Sequence, residues 1–291
     1  MKAIHINSTA PFFANSPEKE YEIDDFEVLC TILSALKWRE KNGSIMMVTD
    51  SIGADYYKRL GLDSIWDGGI DSSLGEGDPA IDDVGFWAAG KIFALKRVKA
   101  PIVMIDTDFI VWDNISGIFG QDGITTAHRE ELYHDVYPHP SAFKTGESSK
   151  KAFWLNDDYA DILPCNTAFA YFHDNDFKEF YVRQSIDFMT DTSICDDTLT
   201  YMVFAEQRLL AMCAAKMGVK INTLLDKDKL FETGGRYTHL WGYKQQLRDN
   251  EKERQLLCER LEYRIKKDFP QYERVLMNVK YELQNNKVAS F

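Results

Sequence analysis

Short apolar runs alternate along the chain with stretches whose apolar residues recur every three or four positions. Residues 2–7 predict a first strand that runs into the polar turn Asn7-Ser8-Thr9. Across residues 19–42, Phe26, Leu29, Leu33 and Leu36 recur at helical spacing, and Gly43 stands where a C-terminal cap belongs. Ile45-Met46-Met47-Val48 predicts a buried strand ending on Thr49-Asp50, and residues 53–61 a short helix closing on Gly61. Residues 67–85, rich in Gly and Asp, predict a long loop, and residues 86–98 a helix. The plainest strand, Pro101 to Ile105, runs straight into Asp106-Thr107-Asp108. Polar residues 120–160 predict loops with small strands, and Phe169 to Phe172 another strand. Residues 199–217 predict an amphipathic helix stopped by Gly218, followed by a strand at 219–224. Residues 245–267 predict a charged helix, with Leu257, Leu261 and Ile265 four apart. Strands alternating with helices predict an α/β fold, a mostly parallel sheet flanked by helices. No repeat or low-complexity linker divides it. The simplest organisation is one unit over 1–244, with a helical C-terminal extension, 245–291, packed on it or projecting from it.

Composition narrows the function classes. A chain of 291 residues, 45% apolar and 27% charged, buries a full core and is not a disordered sequence. Its net charge of −12 argues against nucleic acid and anionic lipid surfaces as partners. No apolar run approaches the roughly 20 residues of a membrane span, and the first residues turn polar too soon for a signal peptide. Five widely spaced cysteines without a C-x-x-C suit a reducing compartment. The expectation is a soluble cytoplasmic protein, able to sit peripherally at the inner face of a membrane.

Two phosphate-loop patterns fail on context. Gly75-Glu76-Gly77-Asp78-Pro79-Ala80 fits G-x-G-x-x-A but follows no strand and carries two carboxylates. Gly85 to Ile92 fits a P-loop except that Ile92 replaces the metal-binding hydroxyl; a helix packing Phe86, Trp87 and Phe93 is the better reading. D-x-D occurs at Asp106/Asp108, Asp174/Asp176 and Asp226/Asp228. Only the first pair ends a buried strand, where open α/β sheets bind ligands. With no Lys or Arg adjacent and an apolar run on either side, its carboxylates are costly unless a cation offsets them. Hard oxygen ligands suit Mn²⁺ or Mg²⁺. The other two pairs read as turns.

The strand Ile102 to Asp108 ending in D-x-D is followed about 130 residues later by His239-Leu240-Trp241-Gly242-Tyr243-Lys244. This combination resembles family 8 glycosyltransferases, retaining galactosyl- and glucosyltransferases of the GT-A fold, and related bacterial proteins. The similarity spans roughly residues 1–245. It implies a Rossmann-like sheet, a metal held by Asp106, Asp108 and His239, and a nucleoside diphosphate sugar, UDP-linked, as donor. It implies that Lys244, in a motif with Gly242, contacts the diphosphate, although Lys244 comes one residue early and the family's Pro-Trp is missing. Asn166-Thr167-Ala168-Phe169 resembles the N-x-G segment whose Asn touches the donor sugar, with Ala168 for Gly. Glu206-Gln207 resembles the Asp-Gln pair beside the reaction centre. Lys91 is nearest to the basic residue that reaches the donor. Asn7, Ser8, Thr9, Asp50 and Thr107, at strand ends, are the further expected donor contacts.

Each residue also has a plainer reading. His239 could be an ordinary half-buried histidine, Asn166 a backbone partner before a strand, Glu206-Gln207 a solvated helix face and Lys91 a surface lysine. The resemblance implies transfer of a hexose to a glycan or other hydroxyl acceptor, the metal providing the positive charge that an acidic protein lacks. A nucleotidyltransferase would carry a Gly-rich basic loop after strand one, where this chain has Asn7-Ser8-Thr9-Ala10-Pro11. A catalytically inactive scaffold that binds a glycan or a protein is the alternative from another class.

Overall fold

The structure, a computed structural model, describes residues 1–75, 78–119, 123–193, 198–225 and 235–289. The Asp226/Asp228 pair, Cys195, and Glu76-Gly77 of the rejected loop lie outside the described residues. Strands β1 (Ala3–Asn7), β2 (Ile45–Thr49), β3 (Ile70–Asp71) and β4 (Ile102–Ile105) are parallel neighbours. β5 (Phe109–Val111) leaves this sheet, while β6 (Ile124–Thr126), β7 (Phe169–Phe172) and β8 (Ile221–Thr223) extend it. The order is β3-β2-β1-β4-β7-β6-β8. β7 runs antiparallel to both β4 and β6, so one reversed strand interrupts a parallel sheet. β9 (Tyr237–His239) pairs only with β5, antiparallel, in a two-stranded sheet.

Period-two alternation divides each central strand between two cores. Ala3, Val103, Ile105 and Phe169 face one, with Leu33 and Trp38; Ile4, Met104, Ala170 and Phe172 face the other, with Ile92 and Leu210. Both faces are covered, which is why β4 reads as an unbroken apolar run. Helices α1 (Ala10–Asn15), α2 (Asp25–Lys41), α3 (Ser51–Arg59), α4 (Ala89–Arg97), α5 (Asn175–Asp191), α6 (Thr198–Val203) and α7 (Leu209–Met217) lie between the strands in sequence. Three more close the chain, α8 (Tyr243–Asp249), α9 (Glu251–Asp268) and α10 (Glu273–Ala289).

The pattern is corrected in several places. α2 starts at Asp25, six residues late, with Asp25 and Glu27 in the first turn where acids complement the helix dipole. The long loop holds the edge strand β3. α4 begins only at Ala89; Phe86 is buried ahead of it, but Trp87 is exposed rather than packed. The helix expected over 199–217 is α6, a π-helical turn Phe204–Arg208, and α7, ending on Gly218 in the left-handed conformation (φ 67°). The charged helix breaks at Asn250, whose extended backbone and side chain cap α9 by accepting from Glu253 N. α10 lies beyond the predicted helix. Leu261 and Ile265 of α9, Phe269 just past its end and Leu276 of α10 join the core of α2, and Lys37 meets Asp268 at 2.6 Å. The extension is therefore packed, not projecting. Asp174 caps α5 by accepting from Phe177 N, as the turn reading expects.

Candidate metal and donor site

β4 ends on Ile105, and the chain turns through Asp106-Thr107-Asp108 before entering β5. Ala168 O accepts from Asp106 N (2.8 Å), and Asp106 O accepts from Phe109 N (3.0 Å), which fixes the turn. β5 then pairs with β9 in a register that sets Phe109 opposite His239. This second pairing is what carries His239 back to the aspartates. Ligand atoms of Asp106, Asp108 and His239 all lie within 4.8 Å of one another, with His239 Nε2 3.7 Å from Asp108 Oδ1.

The cost argument made from sequence changes here, because two lysines distant in sequence arrive beside the carboxylates. Lys91 Nζ lies 2.6 Å from Asp106 Oδ1 and 2.7 Å from Glu206 Oε1. Lys244 Nζ lies 3.1 Å from Asp108 Oδ2 and 3.0 Å from Glu27 Oε1. Lys91 is thus a half-buried ion-pair member, not a surface lysine. Four carboxylates face two ammoniums, a balance of −2, and the adjoining Arg248–Asp24 pair leaves it unchanged. One divalent cation would neutralise that excess.

Protonation states follow from these contacts. Burial alone would push the Asp108 carboxyl up, but Lys244, His239 and Lys91 outweigh it and hold it below the usual carboxylate range. Burial holds His239 below the ordinary histidine value, against the pull of Asp108 and Asp106. Burial opposes the charge on Lys91 and Lys244, yet their carboxylate partners raise both well above the ordinary lysine value. An ionised carboxylate and a neutral imidazole are the forms that bind metal. Two carboxylates and an imidazole also suit Mn²⁺ or Mg²⁺ better than a thiophilic ion.

Thr107, between the two aspartates, lines a cleft of about 860 Å³ whose walls also include Asn7, Phe12, Tyr21, Asp25 and Arg248. A smaller hollow of about 230 Å³ continues it past Ser8, Trp87, Lys91, Asp106, Asp108 and Lys244. The two share Asn7, Ser8, Glu27 and Thr107. Gly90 opens α4 against this hollow; a Cβ there would fall 2.8 Å from Ser8 Cβ.

The family model of DUF6734, a family of unknown function, matches residues 16–279. The chain belongs to that family. A comparison with curated proteins finds no match. Among solved structures, the chain is similar to one titled PaToxG Glycosyltransferase (TM-score 0.42, 11% identity), over 79% of this chain and 70% of that one. It is similar to the glycosyltransferase GlyE of Streptococcus pneumoniae TIGR4 (TM-score 0.37, 10% identity), over 79% of this chain and 46% of that one. It is also similar to mouse xyloside xylosyltransferase 1 in its apo form (TM-score 0.38, 11% identity), over 77% of this chain and 85% of that one. Likenesses this distant do not transfer chemistry from one protein to another.

The DUF6734 chain places its remaining candidate residues as follows. Asn7, Ser8 and Thr107 line the cleft. Thr9 and Asp50 do not: Asp50 Oδ2 accepts from Thr9 N (2.7 Å) and Oδ1 from Gly53 N (2.9 Å), so the carboxylate caps α3 and ties down the loop after β1. Gly242 is the N-cap of α8, which lets Lys244 reach Asp108 despite its early position. Glu206 is 1% exposed, and its Oε1 accepts from both Lys91 and Thr167 Oγ1 (2.7 Å). Glu206 is therefore no solvated face; it orients Lys91. Gln207 accepts from Tyr137 OH at 2.5 Å. Asn166 is buried, its Oδ1 accepting from Ala168 N and its Nδ2 donating to Glu130 Oε1. The pair Glu206-Gln207 sits in the π-helical turn, and such turns recur at functional sites. Arg208 in the same turn donates to Tyr137 O, Pro138 O and Ala160 O, clamping the polar 137–160 region to it. Sequence reasoning missed Glu27, Glu130, Trp87 and Arg248, which carry no local signature.

Proposed function

We propose that this chain is a metal-dependent glycosyltransferase that moves a hexose from a nucleoside diphosphate sugar, UDP-linked, to a hydroxyl of a glycan or other acceptor, with retention at the anomeric carbon. One observation carries the reading: Asp106, Asp108 and His239 converge where the cleft meets the C-terminal ends of the parallel strands. The UDP and retention parts rest on the motif resemblance. Loss of the diphosphate concentrates negative charge on the leaving oxygen. Asp106, Asp108 and His239 would hold a divalent ion, which would supply Lewis-acid stabilisation of that charge. Lys244 and Lys91, kept charged by their carboxylates, add fixed cations at the same place. Glu206 and Thr167 hold Lys91 in position, and the cleft holds the nucleoside. In this reading residues 1–244 form the catalytic unit and 245–291 brace it. The work is done in the cytoplasm, peripherally at the inner face of a membrane where the acceptor resides in one. Among the described residues no helix is long and apolar enough to cross a membrane.

The test is thermal unfolding with UDP, GDP, CDP and TDP, each with and without Mn²⁺, followed by nucleotide release from the matching sugar donors. A shift for one nucleotide that requires Mn²⁺, with slow donor hydrolysis, is expected. A well-folded melt that none of them moves would overturn the reading. A second reading, an inactive scaffold, gains from the fact that each aspartate already has an ammonium partner. Nucleotide binding with no turnover of any donor would favour it.

A further inference from the structure

Trp241 is an aromatic that lines neither the cleft nor the hollow at the aspartates. It follows His239 by two residues, is 48% exposed, and adopts a left-handed backbone conformation (φ 43°). For a bulky residue that conformation is strained, and strain of this kind persists where surroundings hold a side chain for a purpose. Its indole lies nearly parallel to the His239 ring (12°, centroids 6.2 Å apart), and the His128 ring meets it edge-on at 5.8 Å. His128 O accepts from Asn166 N, and Asn166 in turn donates to the buried Glu130. Oε1 of Glu130 takes that bond, while Oε2 takes none among the described residues. Nδ1–H of His128 donates to Arg129 O (3.1 Å) and lies 3.7 Å from Glu130 Oε1.

Asn7, Phe12 and Tyr21 line the cleft, whereas His239, Trp241, His128 and Glu130 line neither it nor the hollow at the aspartates. With the nucleoside in the cleft and a diphosphate at the aspartates, the surface beside His239 that the cleft leaves free is where the sugar being transferred would meet its acceptor. A pyranose presents slightly positive C–H groups on one face and hydroxyl donors around its edge. An exposed indole face, with its negative quadrupole, fits the first, and an unshared carboxylate oxygen fits the second.

We propose that Trp241 is the platform on which the acceptor's pyranose ring stacks, with Glu130 receiving its hydroxyls; the acceptor role rests on the glycosyl-transfer reading above. The probes are methyl β-galactopyranoside, methyl β-glucopyranoside and lactose at millimolar concentration. They are titrated by saturation-transfer NMR with UDP and Mn²⁺ present and absent. Trp241→Ala is expected to weaken the preferred saccharide about tenfold or more, Trp241→Phe to retain it within about threefold, and Glu130→Gln to weaken it. Tyr263→Ala, which removes an exposed ring on α9, is expected to change nothing. UDP–Mn²⁺ binding, measured separately, is expected to be equal in wild type and Trp241→Ala. Equal saccharide affinity in wild type and Trp241→Ala overturns the platform, and so does failure of wild type to bind any of the three. Saccharide binding that depends on Trp241 in a chain that binds no nucleotide keeps the platform and removes the transferase reading.

Discussion

Asp108→Asn separates the two duties of the most buried ligand. The side chain has Lys244 Nζ at 3.1 Å and His239 Nε2 at 3.7 Å. At an effective dielectric near 20, the Lys244 contact corresponds to about 5 kcal/mol of gross attraction. Most of this is returned on substitution: Lys244 keeps Glu27 at 3.0 Å, and one buried charge no longer has to be desolvated. A net loss of roughly 1–3 kcal/mol follows, which lowers the melting temperature by roughly 5 °C in a chain of this size. The second duty shows when ligand is added. On the proposed function, Mn²⁺ with UDP at a hundred times their dissociation constant would stabilise wild type by about 2.7 kcal/mol. The variant, lacking one of the three proposed ligands and its charge, is expected to lose that gain. Scanning calorimetry on both proteins, with and without Mn²⁺ and UDP, reads all four states. A variant that keeps the full ligand shift would falsify the assignment of Asp108 as a ligand. One that melts with wild type in the absence of ligand shows that the Lys244 pair contributes nothing net.

Three further outcomes are expected. His5 is fully buried, accepts from Trp66 Nε1 and bonds Ser34 Oγ, and burial lowers its pKa to about 3. The unfolded chain therefore takes up the proton first, so stability present above pH 6.5 falls by about 1.4 kcal/mol per pH unit below it, roughly 2 kcal/mol by pH 5. Urea midpoints from pH 8 to 5 test this, and a profile that His5→Gln fails to flatten refutes it. Lys91→Met leaves Asp106 and Glu206 without the cation they share. Nucleotide release is expected to drop about a hundredfold, and unaltered turnover would remove Lys91 from the site. Ile265→Ala empties a fully buried position where α9 meets α2, and equilibrium unfolding is expected to show a loss of roughly 2–5 kcal/mol; an effect below the measurement error would mean that the C-terminal helices do not brace the core.

What could be read from sequence was what local periodicity encodes. β1, β2, β4, β7 and α2 each carry a pattern that no tertiary contact overrides. β3, of two residues, and β9, of three, are too short to show a period, and the reversal of β7 leaves no trace in its four apolar residues. Asp106, Asp108 and His239 were legible because two of them end a strand and the third sits in a patterned segment. Their electrostatic setting was not. Lys91 and Lys244 lie 15 and 136 residues from the aspartates they pair with, and only the fold brings them in. The same holds for Glu130 behind Asn166, and for Asp50, whose place at a strand end suggested ligand contact but whose two oxygens serve the backbone.

The pairing of β5 with β9 also sets when the site can exist. Phe109 and His239 are opposite each other in space yet about 130 residues apart in the chain. A growing polypeptide emerges at roughly 5–20 residues per second, so about ten seconds pass between the appearance of the aspartates and that of the histidine. During that interval β1 to β4 can assemble, with Asp106 and Asp108 at their end but no third ligand. Ligand-derived stabilisation acts only on molecules that bind. On the proposed function it would be withheld from every stalled or truncated product that stops before residue 239, even one whose parallel strands have formed. Metal and nucleotide would therefore stabilise finished molecules selectively, leaving incomplete ones to proteolysis.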